Sequence, residues 1–190
     1  MQKIYCYVDE TGQDTKGLIF LVCCSVVLNA KSKTVLEEKL AKIEERTGKR
    51  NKWSKTRKDI KSEYLRNLLD IRTLKGAIYI SRFLNTKEYF KKTLDSIAGS
   101  LKASPCYRGS KTKAVVIIDG LPRQQEPVAS VRLRRRGVFI EKVRGAKDEV
   151  TPLVRLSDAL VGLARNYLEG TDIAKNFYPR FISKGMIKEL

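Results

Sequence analysis

KIYCYVDETG, residues 3–12, alternates within an apolar, β-branched context and then breaks on two acids, a threonine and a glycine. That pattern predicts a strand over 3–9 followed by turn residues over 10–17. The apolar run 18–28 returns as a second strand, so the chain opens on a hairpin. A second stretch, AVVIIDG at 114–120, is a short continuous β-branched run of the kind found in a central strand covered on both faces, and it stops at Asp119 and Gly120.

Working outward, VLEEKLAKIEE puts Val35, Leu36, Leu40 and Ile43 on one face of a helix over about 30–48, which Gly48 ends. A second amphipathic helix is expected over about 56–74 through Ile60, Tyr64, Leu68 and Ile71, after a highly basic connection around Trp53. Residues 76–84 read as a third strand. Asn85 to Glu88 read as a capping box for a helix to about residue 102. After the strand ending at Asp119 come a polar, helical stretch over 124–136, a strand over 138–143, and a helix from Thr151-Pro152 to about Glu169. The tail, 171–190, is expected to be helical and then frayed.

Three strands, the first two a hairpin, then helix, strand, helix, strand, helix is the order of a ribonuclease H-like domain. The fold class expected is therefore α/β, with a mixed five-stranded sheet, flanking helices and a two-helix insertion over 30–75 between strands two and three. At 190 residues, with no repeat or composition break, one domain over 1–190 is expected, 171–190 being its tail.

Lysine and arginine outnumber acids 39 to 21, a formal charge of +18, which attracts phosphate backbones by counterion release. Nucleic acid, DNA or RNA, is the expected partner; homo-oligomerisation is left open. Asp9 and Glu10 interrupt the first apolar run before it resembles a signal peptide, and 18–28 is about half a membrane span. The expectation is a cytoplasmic protein with no membrane partner. Cys6, Cys23, Cys24 and Cys106 show no CxxC spacing and read as small core residues. The chain has no histidine, which excludes Ser-His-Asp and Cys-His catalysis and imidazole ligands. Any catalysis must rest on carboxylates.

Asp9 and Asp119 each end a strand, and in this topology those strands are parallel neighbours about 4.8 Å apart, so both carboxylates emerge at one sheet edge. Either alone also reads as a turn residue. Asp158 lies within PLVRLSDALVGLA, a helix apolar on most of its circumference, where a carboxylate needs a metal or a partner such as Arg155 or Arg165.

YVDETG, VVIID and RLSDALVGLARN resemble the domain of unknown function 3800, of the ribonuclease H-like superfamily, over a span from Tyr5 to about Asn166. The resemblance implies that Asp9, Asp119 and Asp158 are metal positions. It also marks a departure: many members have a glutamate ahead of a Lys-Trp pair, whereas here Arg50 and Asn51 precede Lys52 and Trp53. Glu88, at the start of the helix over 85–102, is the substitute catalytic acid offered. Glu10 faces the other side of its strand and ranks behind Asp9 as a ligand, Asp148 and Glu149, in the loop before the last helix, are further candidate contributors, and Glu63 lies on the inserted helix.

Such a cluster suits Mg2+ or Mn2+ and phosphodiester hydrolysis, with two cations replacing the missing histidine base. The strand would be held by a basic patch over 46–61, including Lys49, Arg50, Lys52, Trp53, Lys55 and Arg57, with Trp53 stacking on a base or sugar, and by Arg132, Arg134, Arg135 and Arg136. Trp53 also reads as an anchor for the inserted helices, and the arginine run as a solvated helix face. A metal-dependent nuclease or related phosphoryl-transfer enzyme is the leading expectation. A non-catalytic nucleic-acid-binding module on the same fold is the alternative.

Overall fold

The computed structural model describes residues 1–49, 51–146 and 151–190. Strands β1 (Gln2–Thr11) and β2 (Ile19–Val27) form the expected hairpin. Helices α1 (Ala30–Thr47) and α2 (Lys58–Leu68) are inserted before β3 (Ile78–Leu84). Then follow α3 (Tyr89–Ala103), β4 (Thr112–Asp119), α4 (Glu126–Arg135), β5 (Ile140–Ala146), α5 (Pro152–Leu168), α6 (Asp172–Ser183) and β6 (Ile187–Glu189).

The sheet runs β5-β4-β1-β2-β3-β6, with β1 parallel to β4 and antiparallel to β2. It has six strands where five were expected. The extra strand comes from the tail: β6 pairs in parallel with Ile78–Ile80 of β3, and Met186 and Ile187 are buried behind it. Three residues carry too little alternation to be read as a strand, yet they satisfy backbone groups that an open β3 edge would expose.

Alternation along β1 splits the core. Ile4, Cys6 and Val8 pack with Leu94, Ile97 and Leu101 of α3 and Leu133 of α4. Tyr7 packs on the other face with α1, α2, α5 and α6. Several boundaries move. Val35 is 40% exposed, at the rim of the α1 stripe instead of beneath it. Helix α2 stops at Leu68 and gives way to a 3-10 turn at Arg72–Leu74. Glu88 is itself the N-cap of α3, so the 85–88 capping box does not form; Thr86 Oγ1 instead accepts the Glu88 N–H. Thr151 caps α5 through the Leu153 N–H, with Pro152 in the first turn as expected.

Ser157 seats α5 on the sheet. Its hydroxyl donates to the Tyr7 carbonyl at 3.1 Å and shares a 3.0 Å hydrogen bond with Ser25, all buried. The residue that follows is Asp158.

Candidate metal centre

Val8 pairs with Ile118 in the parallel β1-β4 ladder, so Asp9 and Asp119 stand one step further along adjacent strands. Both fall on the face of Tyr7 and Ile117, towards α5, because side chains alternate along a strand. Asp158 joins them from the second turn of α5, one residue after the seat on Tyr7. β1, β4 and α5 therefore bring Asp119 and Asp158 within electrostatic reach of Asp9.

Asp9 is 8% exposed, and its Oδ1 accepts the Glu10 N–H at 2.8 Å. Burial pushes its carboxyl well above the usual carboxylate range, and the charges of Asp158 and Asp119 push it further. Asp158 Oδ2 accepts the backbone N–H of Trp53 at 2.7 Å, which ties the inserted segment to α5. Lys52 Nζ lies 3.9 Å from Asp119 Oδ2. The arginines that competed for Asp158 are engaged by other acids: Arg155 grips Glu44 with two bonds, and Arg165 binds Asp14 and Glu169.

Asp9, Glu10, Trp53, Lys61, Asp158 and Arg165 are among the residues lining a cleft of about 450 Å³. Glu10 is the acid that sequence reasoning set aside. It does face the opposite side, where Thr93 and Gln13 donate to its carboxylate. Burial raises its pKa first; Thr93 and Gln13 oppose the shift, and the charge of Asp119 adds to it. Two acidic neighbours in sequence thus reach the cleft from two faces, because strand β1 is near its end. Lys61 ends the basic stretch over 46–61 in the sequence, but its place at the cleft depends on how α2 docks.

Several proposed site residues are corrected. Glu88 is exposed, and both its oxygens accept from Lys91 Nζ at 3.0 Å, so it does not join the three aspartates. Trp53 is 3% exposed and has no ring face left for a base; it is the anchor of the insertion. Lys49 is 1% exposed, with Nζ over the Tyr64 ring at 5.1 Å and bonded to the Asn51 carbonyl, so it contacts no phosphate. Arg50, Asp148 and Glu149 lie outside the described residues.

Lys52, Lys55 and Arg57 are exposed, Arg57 being paired with Asp59. Arg132, Arg134 and Arg135 are exposed on α4, in the layer opposite α5. Arg136, which follows that helix, is bonded to Asp95.

Carboxylate oxygens are the hard donors that Mg2+ and Mn2+ take, and the repulsion that Asp119 and Asp158 exert on Asp9 is what a divalent cation would relieve. Among the described residues, no three acidic or thiol side chains close around one point as a formed coordination sphere. The fit therefore rests on donor chemistry and repulsion.

The repulsion has a sign. Asp9 holds its proton more tightly in the folded chain, so its contribution to metal-free stability is greatest below the ordinary carboxylate range and falls as pH rises through the elevated folded value. Asp9→Asn is expected to raise the melting temperature at pH 7, by about 2–4 °C for each kcal/mol of strain removed. It should also flatten the decline above about pH 4 relative to the wild type. Thermal melts at stepped pH without metal check this; equal melting temperatures throughout would contradict it.

Gly162 is required by Trp53. A Cβ there would lie 2.1 Å from Trp53 Cδ1 and 2.7 Å from Cγ. Gly162→Ala is expected to displace the ring and cost about 1–3 kcal/mol of packing, more than the roughly 1 kcal/mol gained in helix propensity. Trp53 is the single tryptophan, so its emission should shift to longer wavelength; an unshifted spectrum would show that the ring stayed.

No protein-family model matches the chain, and no curated protein matches it. Among solved structures it is similar to the ribonuclease H2 from Pyrococcus horikoshii OT3, with TM-score 0.58 and 11% identity, covering 86% of this chain and 72% of that one. It is also similar to RNase HII from Archaeoglobus fulgidus, solved in a complex with PCNA, with TM-score 0.54 and 13% identity, covering 99% and 92%. What is shared at these identities is the fold: the chain has a ribonuclease H-like α/β fold. Among the described residues no helix is long and apolar enough to cross a membrane.

Proposed function

We propose that this chain is a metal-dependent nuclease, acting as one domain related to the domain of unknown function 3800. The carrying observation is the convergence of Asp9, Asp119 and Asp158 from β1, β4 and α5 beside a cleft, in a chain of formal charge +18. Asp9, Asp119 and Asp158 would hold Mg2+ or Mn2+. The chemistry such an ion supplies when bound is Lewis acidity, which makes water nucleophilic at neutral pH and favours departure of the leaving oxygen.

The chain's own groups do the rest. The Glu10 N–H fixes the Asp9 carboxylate, and the Trp53 N–H fixes that of Asp158. Exposed Lys52, Lys55 and Arg57, and the α4 arginines on the other layer, offer cations to a phosphate backbone. Proton transfer falls to carboxylates, since there is no histidine.

A second reading, a binding module that does not cleave, is favoured by one observation: the described acids do not form a closed coordination sphere. Labelled single- and double-stranded DNA and RNA, and an RNA-DNA duplex, incubated with and without Mg2+ or Mn2+, separate the two. Products that need metal support the nuclease. Salt-sensitive binding with no products under any of these conditions supports the module.

A further inference from the structure

We propose that Lys61 is the substrate-binding cation of the acidic cleft, contacting a phosphodiester oxygen next to the bond that is cut. This rests on the nuclease reading and adds a residue to it.

A phosphodiester approaching Asp9, Glu10 and Asp158 meets like charge, so the cleft needs a cation of its own. Arg165 also lines it, but its guanidinium is held by Asp14 and Glu169, with Thr11 on a third side. Lys61 is placed differently. It projects from the first turns of α2, half-buried, with Nζ 4.8 Å from the centroid of the Trp53 ring. Among the described residues no carboxylate pairs with it at ion-pair distance; Asp158 acts on it only through its field.

The ring beneath it is fixed twice. Trp53 packs flush on Gly162, and its backbone N–H is bonded to Asp158. Lys61 is therefore indexed to the same turn of α5 that carries a candidate metal ligand. A lysine resting on an aromatic face has already lost much of its rotamer freedom and part of its hydration, so an anion that meets it gains a charge-assisted hydrogen bond at reduced cost. Of the other cations of the insertion, Lys49 is buried on Tyr64, Arg57 is paired with Asp59, and Lys52 sits at Asp119 on an exposed side chain that does not rest on the Trp53 ring.

The test uses the full chain. Lys61→Met keeps an unbranched stem on the ring and removes the charge; Lys61→Arg keeps the charge; Lys188→Gln, on exposed β6, is the control. Binding of a labelled single-stranded oligonucleotide is measured without metal from low to moderate salt. Lys61→Met is expected to bind about 10- to 100-fold more weakly at low salt. The slope of log K against log salt should fall by about 0.7, one phosphate contact on a single strand. Lys61→Arg should restore the slope, and Lys188→Gln should leave it at the wild-type value.

In the cleavage assay Lys61→Met should raise KM. A slope and KM equal to wild type, with wild-type cleavage intact, would overturn the role of Lys61 and leave the nuclease reading standing. A slope lost in Lys61→Met, when the wild-type protein cleaves nothing, would overturn the nuclease reading and leave Lys61 as a phosphate contact. Should Lys61→Met not fold, Lys61→Gln replaces it, with the same two outcomes.

Discussion

Asp119→Asn is expected to lower metal-dependent phosphodiester cleavage by about a thousandfold or more, the equivalent of about 4 kcal/mol of lost transition-state stabilisation, while the chain stays folded. The side chain is half-buried at the end of β4, next to Asp9 across the parallel ladder. Asparagine has the same shape and keeps one oxygen, so the sheet has no reason to change. What it loses is a negative charge, and with it the affinity of the pair for a divalent cation. Cleavage rates of the variant against wild type, with a melting curve to confirm folding, decide the matter. Glu63→Gln, exposed on α2, should cleave at the wild-type rate. An Asp119→Asn protein that cut as fast as wild type would remove this carboxylate from the chemistry and the three-acid proposal with it.

Arg155→Met is expected to cost about 3–5 kcal/mol, a fall of roughly 6–20 °C in melting temperature. Glu44 on α1 is 7% exposed, and Arg155 on α5 holds both its oxygens, at 2.8 and 2.6 Å. Without the guanidinium a buried carboxylate is left uncompensated. The pair also joins the inserted helix α1 to the helix that carries Asp158, so the loss should loosen the docking of Trp53. Glu44→Met combined with Arg155→Met should recover most of the stability, because two apolar side chains fill the site without a charge to desolvate. Denaturation of the single and double variants tests this as a cycle. A double variant no more stable than Arg155→Met would show that the loss arises from something other than the stranded charge.

These two sites were legible to different degrees. Asp9 and Asp119 could be read because an acid that breaks an apolar strand is visible locally, and the element order then makes the two strands neighbours. Asp158 could be read because one charge interrupts an otherwise apolar helix. Glu44 could not: it sits among Glu37, Glu38 and Glu45 in a helix whose charges look alike, and only docking against Arg155 distinguishes it. Lys49 was read as a ligand contact, and Trp53 as either a stacking surface or an anchor, because both belong to a basic connection. Both side chains turn inward, since an inserted segment with few apolar residues buries what it has, and the aliphatic stem of a lysine can lie on a tyrosine.

By itself the amino-acid sequence determined the hairpin, the parallel central pair, the apolar α5 with its single acid and the basic character of the chain. These follow from periodicity, turn chemistry and composition, all of which are short-range. Tertiary structure alone decided that β6 closes the β3 edge, that Trp53 locks onto Gly162, that Arg155 serves Glu44 and that Lys61 overlooks the acids. Each of those depends on where an inserted or terminal segment docks, and docking is settled by shape and by the pairing of buried polar groups between elements far apart in the chain, which leave no periodic trace in either segment.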